Sequence, residues 1–477
     1  MNDFQIPEDT LMITYNLNNL REPLYEYIYR SLKRDIISGQ LKAGEKLPSK
    51  RSFAENNGVS TITIQNAYDQ LICEGYIYTL PKKGYYVSDI GVLSAGKPER
   101  TTAEVKVPAK KRKYELDLTG NAMEPDSFPF ATWAKLMRRT LSDQKEKLLT
   151  PSPTAGIPEL RDAIAEYLRS FRGMTVDPNQ IVIGAGTEYL YGLLIQLLGE
   201  DRIYCIENPG YRKLVQIYNQ YHIGCRYAPM DEKGVTVQGL RRTQAQIAHI
   251  SPNHHFPTGI TMPADRRYEI LHWADEDRER YIIEDDYDSE FRTNGKPMPT
   301  LFSIDTQEKV IYMNTFSKSL TPTIRISYMV LPGHLADRFY ETLSFYSCTV
   351  SNFEQYTLAA FISEGYFEKH INRMRLQYTK KRNSIMEVIK KSRLREFCRV
   401  EENDSGLHFI LQFDTKTSDE ELKRRLGEKG IHMDALSEYE LEGERKDRHR
   451  FILNYSGLDP MQLESAADGI CTVLENR

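Results

Sequence analysis

An α/β protein with a mostly parallel sheet, preceded by a smaller unit of short helices and a hairpin, is the fold class this sequence predicts. Three observations carry it. From about residue 114 to residue 477, helix-like and strand-like segments alternate. Before residue 89, two short helical segments flank a glycine turn and are followed by an alternating hairpin pattern. Between them, "IGVLSAGKPERTTAEVKVPAKKRK", residues 90–113, has few large apolar residues and a basic end at Lys110, Lys111, Arg112 and Lys113, and reads as a flexible, solvated linker.

At 477 residues the chain is too long for one core and suggests two or three domains. Its composition, 40% hydrophobic and 27% charged with a net charge of −4, is that of a globular protein. Any nucleic-acid surface must therefore be local rather than a product of global charge. The cysteines at 73, 205, 225, 348, 398 and 471 form no CxxC and no cluster with histidine, so neither a disulfide framework nor a zinc or other metal site is expected. "MNDFQIPEDTLMITY" lacks a basic segment followed by an apolar core, and no apolar run approaches the roughly 18 residues that span a bilayer. The expectation is a cytoplasmic protein without a membrane partner.

In the first unit, residues 20–89, "EPLYEYIYRSLKRDIISGQL" places Leu24, Ile28, Leu32, Ile36 and Ile37 on one helical stripe, with Gly39 as its stop. Ser49 then caps a short helix, Gly58 makes a turn, and Ser60 caps a second helix carrying Ile64, Ala67, Tyr68 and Leu71. This is the helix-turn-helix pattern. "GYIYTLPKKGYYVSD" adds a wing around Pro-Lys-Lys-Gly. Such a second helix enters the major groove by its N-terminal side chains. Here these are Ser60, Thr61, Thr63, Gln65 and Asn66, short polar groups that both donate and accept. Lys50 and Arg51, just after Ser49, add two cations to a helix N-terminus suited to a phosphate, and Lys82 and Lys83 bring the wing to the DNA backbone or minor groove.

In the second unit, residues 114–477, "IPELRDAIAEYLRSF", "TEYLYGLLIQLLG" and "ADRRYEILHWADED" read as helices, while "QIVIGAG", "RIYCIE", "IAHISP", "YIIEDD" and "VIYMNT" read as buried strands. A ligand site is then expected at the strand C-terminal ends. "NTFSKSLTPTIRISYMV" sets Lys318 between two such strands, although an ammonium group is costly to desolvate. Burial depresses the pKa of a lysine and makes it an amine nucleophile suited to a Schiff base with an aldehyde. Thr315, Ser317 and Arg325 offer hydroxyls and a cation for a phosphate carried by the same aldehyde. Asp285, at the end of "YIIEDD", can keep a pyridine nitrogen protonated, and Tyr287 can reach a ring phenolate. "GAGTEYLYG" follows a strand and opens a helix, so its backbone donors at Ala185, Gly186 and Thr187 can complete a phosphate cup. Tyr211 in "ENPGYRK" can stack on the ring.

"LPSKRSFAENNGVSTITIQNAYDQLICEGYIY…KKGYYV" resembles the GntR family of bacterial regulators, with Thr61 standing where that family commonly has a basic residue. Residues 114–477 resemble a fold-type I, pyridoxal-phosphate-dependent aminotransferase, and the whole chain resembles the MocR/GabR family of transcriptional regulators. "IIEDDYDSEF" and "TFSKSL…RISYMVLP" are most similar to its GABA-responsive branch. The resemblance implies pyridoxal 5'-phosphate as cofactor, Lys318 as its aldimine lysine, Asp285 as the pyridinium partner and Tyr287 as the phenolate contact. Tyr211 becomes the stacking ring and Arg325 a phosphate ligand. It also implies operator DNA as partner and a head-to-tail homodimer.

Three departures matter. "FPTG" has Phe256 where the aminotransferase Asn-Pro-Thr-Gly motif has its asparagine, which removes one control on the cofactor and weakens the case for turnover. Lys213 and Glu438 stand where the GABA-responsive regulator has two carboxylate-binding arginines, and "LNYSGLD" offers Gly457 near the general carboxylate arginine. A glutamate repels the carboxylate that an arginine would clamp. The effector-binding pair is thus Lys213 and Glu438, and the effector is expected to be an amine or amino acid other than GABA, or pyridoxal phosphate itself. The leading reading is a cofactor-dependent transcription factor and not an enzyme, with residual half-transamination left open. Its rivals are a sensor of vitamin B6 and an active aminotransferase with an accessory DNA-binding unit.

Overall fold

The computed structural model describes residues 13–17, 22–91, 114–120, 127–292, 298–401, 406–443 and 447–475. The chain divides into two compact units, Met1–Lys110 and Lys111–Arg477. Residues 92–113 of the expected linker lie outside the described residues.

The first unit runs α1 (Leu24–Ile37), β1 (Lys46–Leu47), α2 (Lys50–Asn57), α3 (Thr61–Cys73), β2 (Ile77–Leu80) and β3 (Gly84–Val87), its strands ordered β1-β3-β2 and antiparallel. The expected stripe of α1 buries Ile28, Leu32 and Ile36 against Phe53, Ile64, Tyr68 and Leu71 of α2 and α3, whereas Leu24 and Ile37 are exposed. Both serine caps form: the Ser49 hydroxyl accepts from Ser52 N–H and that of Ser60 from Thr63 N–H, each at 3.1 Å. Gly58 closes α2 at φ +64, a left-handed conformation that costs glycine nothing.

The second unit opens with β4 (Leu116–Asp117) and carries a sheet of eight strands: β5 (Ile181–Gly184), β6 (Ile203–Asn208), β7 (Gly224–Asp231), β8 (Gly234–Val235), β9 (Ile247–Ile250), β10 (Tyr281–Asp285), β11 (Val310–Thr315) and β12 (Ser327–Val330). Their order is β5-β12-β11-β10-β9-β6-β7-β8. The pairs β11·β10, β10·β9, β9·β6 and β6·β7 are parallel, while β12 and β8 are antiparallel to their neighbours. The expected mostly parallel α/β sheet is thus present. Its central strands read as continuous apolar runs because helices cover both faces, and β5, β9, β11 and β12 are buried along their whole length. Each fully buried Ile, Val or Met there contributes about 1.5–3 kcal/mol. A smaller antiparallel sheet follows from β13 (Cys398–Glu401), β14 (His408–Phe413), β16 (Asp434–Ala435) and β17 (Arg450–Asn454), while β15 (Ile431–His432) pairs with β4. No described helix is long and apolar enough to cross a membrane.

The acidic run at the end of β10 and in the bend just past it is divided between two surroundings. Glu284 and Asp286 face into the fold. Glu284, fully buried, accepts from the N–H groups of Leu301 and Phe302 at 3.0 Å, and Asp286 pairs with Arg172 and accepts from the Tyr312 hydroxyl at 2.7 Å. Asp285 and Tyr287 face the other way, into a cavity. Arg172 and Asp286 are 2% and 1% exposed, so removing one partner strands the other's charge without water. Arg172→Met is therefore expected to destabilise the second unit by about 3–5 kcal/mol, measured by urea unfolding, against under about 1 kcal/mol for a break in the exposed Arg169–Glu166 pair.

Candidate functional site

On the first unit, the N-terminal turn of α3 presents Ser60, Thr61, Gln65 and Asn66 to solvent. Thr63 is half-buried, its hydroxyl 2.8 Å from that of Ser60. Ile62 stands among them with 70% of its surface exposed; sequence reading passed over it because apolar periodicity marks only residues that face a core. Lys50 lies 5.7 Å from the Tyr85 ring centre, and Arg51 Nε donates to Glu55 Oε1 at 3.1 Å, so part of the Arg51 charge is already balanced. Lys82 and Lys83 occupy the exposed tip of the β2–β3 turn, with Lys82 at φ +59. This face combines cations with short polar side chains, the composition that positions on phosphates and reads base edges.

On the second unit, a cavity of about 270 Å³ lies where β5, β6, β9, β10 and β11 end. Every expected cofactor residue except Ala185 and Gly186 lines it: Thr187, Tyr211, Asp285, Tyr287, Thr315, Ser317, Lys318 and Arg325. Lys318 sits in the single helical turn Phe316–Ser319, directly after β11. Burial pulls its pKa down to about 8, against the opposing pull of Asp288. Asp285 Oδ2 accepts from the Tyr191 hydroxyl at 2.8 Å and lies 3.7 Å from His249 Nε2, while its Oδ1 is buried with no hydrogen-bond partner. His249 is itself set by Tyr218, whose hydroxyl is 2.7 Å from Nδ1. A buried, unpaired carboxylate oxygen is costly, and a protonated ring nitrogen in the cavity would satisfy it.

The phosphate cup is narrower than expected. Ala185 N–H donates to Thr349 Oγ1 at 3.0 Å and Gly186 N–H to the Gly184 carbonyl at 2.9 Å, so both donors are already used. Helix geometry still leaves the first N–H groups from Thr187 onward unspent. Gly186, at φ +94, lies so close to Arg325 that a side chain there would overlap the guanidinium. Arg325 itself is held at φ +52, a left-handed conformation that is uncommon for a non-glycine residue. The Thr315 hydroxyl accepts from Ser317 N–H at 3.1 Å and from Ser327 Oγ at 2.9 Å, and so acts as a helix cap.

The two expected effector residues part company. Lys213 lines the cavity and pairs with Glu188, which also pairs with Arg325; the Lys213 ammonium holds the Glu188 carboxyl below the usual range. Glu438 is not among the cavity-lining residues. Its carboxylate receives Lys423 Nζ at 2.8 Å and Ala435 N–H at 3.1 Å, which makes it a helix-capping group.

The structure adds residues that no motif flagged. His255 and Glu207 lie 3.4 Å apart; burial lowers the histidine to about 3 and raises the carboxyl to about 8, which favours the neutral form of each. His254 Nδ1 lies 2.9 and 3.0 Å from the two oxygens of Asp288 and 3.1 Å from the Tyr287 hydroxyl. The doubled histidine in "NHHFPTG" was the only signal, and an unpatterned histidine does not reveal its partners. Among the described residues, no group of three or more His, Cys, Asp or Glu could hold a metal ion.

Residues 115–470 match the family model for aminotransferase class I and II, and residues 24–87 the model for bacterial regulatory proteins, gntR family. The uncharacterized HTH-type transcriptional regulator YdeL of Bacillus subtilis (strain 168) is 37% identical over 415 residues, which cover 87% of this chain and 89% of that one. The probable rhizopine catabolism regulatory protein MocR of Rhizobium meliloti is 31% identical over 465 residues, covering 94% and 93%. Among solved structures, Pyrococcus horikoshii kynurenine aminotransferase superposes with a TM-score of 0.67 at 24% identity, over 76% of this chain and 91% of that one. At that identity the likeness bears on the fold.

An amine buried to a pKa of about 8 is neutral, and so nucleophilic, at pH values above 8. The rate of Lys318 modification by an amine-selective acylating reagent, followed by peptide mass spectrometry, is expected to rise through a midpoint near pH 8. Exposed lysines should follow the usual lysine range near 10.4.

Proposed function

Because this chain belongs to the MocR/GabR family of transcriptional regulators, with a GntR-type unit joined to an aminotransferase-like one, we propose that it binds operator DNA under the control of pyridoxal phosphate and an amine effector. In this reading residues 20–89 form the DNA-binding unit, 90–113 the linker and 114–477 the effector unit of a cytoplasmic, head-to-tail homodimer. The observation that carries it is the convergence, in one cavity, of the depressed Lys318 amine with an unpaired Asp285 oxygen.

When bound, pyridoxal phosphate supplies an electrophilic carbon at which one amine can replace another. Lys318 would provide the resident amine, Asp285 Oδ1 would pair with the ring nitrogen, and Tyr211 would stack on the ring. Tyr287 would donate to the ring oxygen, while Arg325, Ser317 and the helix N-terminus at Thr187 would hold the phosphate. An effector amine competes with Lys318, and Lys213 at the cavity wall meets the rest of the effector. Glu188 pairs with both Lys213 and Arg325, so one carboxylate is shared between two cations, and a free carboxylate on the effector has to compete with it there. The effector alters DNA binding only by the difference in its affinity for the two arrangements of the dimer.

Lys318→Ala is expected to abolish the visible absorbance of the cofactor-loaded protein and its response to any amine, while operator affinity without effector persists in gel-shift titration. An unchanged spectrum overturns the reading. Titrating the wild type with a panel of amines separates it from its rivals: a stable new band marks a sensor, and accumulating keto product marks an enzyme. On the DNA side, Gln65→Ala should cost about 1–3 kcal/mol and relax base preference at one operator position. The double change Lys82→Ala with Lys83→Ala should weaken all sequences alike and lessen the slope of affinity against salt.

A further inference from the structure

We propose that His254, held by Asp288, is a positioning residue that turns the Tyr287 hydroxyl into a donor directed at the ligand. The inference rests on the cofactor reading above and names residues that reading leaves idle.

Only one nitrogen is involved. His254 Nδ1 stands within hydrogen-bond distance of both Asp288 oxygens, at 2.9 and 3.0 Å, and of the Tyr287 hydroxyl, at 3.1 Å. It cannot donate to a carboxylate and accept from a hydroxyl at the same time. A carboxylate only accepts, so the proton belongs on Nδ1, and the Tyr287 oxygen becomes a second acceptor for it. The hydroxyl hydrogen of Tyr287 is thereby excluded from the His254 side. Tyr287 lines the cavity, and that is where its hydrogen is left to point. Phe256, in the same lining, has no polar side-chain atom, which leaves this donor without a substitute at that position.

The rest of the ring is fixed by packing. His254 and Asp288 are each 2% exposed. Nε2 is buried with no hydrogen-bond partner, and the His408 ring lies 4.6 Å away, centre to centre. Gly406, at φ +76, lies so close that any side chain would overlap the imidazole. The titratable groups facing His254 are Asp288 and Tyr287 from the segment after β10, His408 from β14 and His255 beside it in sequence. Lys318 acts electrostatically on the same cluster through Asp288 and His408. A carboxylate that fixes the tautomer of a histidine, which in turn orients a third group, is a recurring device of functional sites.

The test is a pH titration of the visible band of the cofactor-loaded, full-length protein. A donor on the ring oxygen draws off negative charge that would otherwise hold a nearby proton, so losing it moves the midpoint to higher pH. One hydrogen bond of ordinary strength corresponds to about one pH unit. His254→Phe should raise the midpoint by about that amount, His254→Asn, whose amide nitrogen can replace Nδ1 as donor, should restore it, and Tyr287→Phe should raise it alike. In the Tyr287→Phe background, His254→Phe should add nothing further. Equal shifts in both backgrounds, or a His254→Phe midpoint matching the wild type, overturn the inference while leaving the cofactor reading intact. A wild-type protein with no Lys318-dependent band overturns both. Should His254→Phe fail to fold, the isosteric Asp288→Asn is carried through the same two backgrounds, with the same criterion.

Discussion

The buried ion pair between Arg172 and Asp286 is the constraint on which the candidate site rests. A charge removed from water must be matched, and the match here crosses from the helix Pro158–Arg172 to the end of β10, with Ser289 and Tyr312 completing it. Glu284 performs the same service one period earlier, by capping the turn Leu301–Ile304. These two acids fix the pleat of the segment. Once it is fixed, Asp285, the last residue of β10, faces opposite to Glu284, and the bend that follows brings Tyr287 and Asp288 to the same cavity. The acid-rich run therefore serves as both clamp and cavity wall.

Burial then sets the chemistry of the cavity. It depresses Lys318, raises Glu207 and lowers His255, and so favours the uncharged form of all three. Toward the open side the balance changes: Glu188 gathers Lys213 and Arg325 into one network. An anion entering there would compete with that carboxylate for the two cations, and Lys213, a point charge, lacks the bidentate fork of an arginine.

The first unit works by different physics. The whole chain is slightly acidic, with net charge −4, so any attraction to DNA has to come from local cations such as Lys50 and Arg51 at the start of α2 and Lys82 and Lys83 on the wing. Capping by Ser49 and Ser60 spends the side chains that fix the two helix starts and leaves Thr61, Gln65 and Asn66 outward. The exposed Ile62 adds an apolar element suited to a thymine methyl group.

Local periodicity and capping determined a great deal: the buried part of the α1 stripe, both serine caps, the hairpin wing and the strands of the parallel sheet. Each follows from residues within a few positions of one another, where steric and hydrogen-bonding rules act directly. Partner choice across long stretches of chain was decided only by the tertiary structure. Ala185 spends its N–H on Thr349, Glu438 spends its carboxylate on Lys423 and Ala435, and His249, His254, Glu188 and Glu207 join the site without any motif to announce them. A side chain's role depends on which distant group reaches it first, and that is a property of the packed sheet and its loops, which no local pattern encodes.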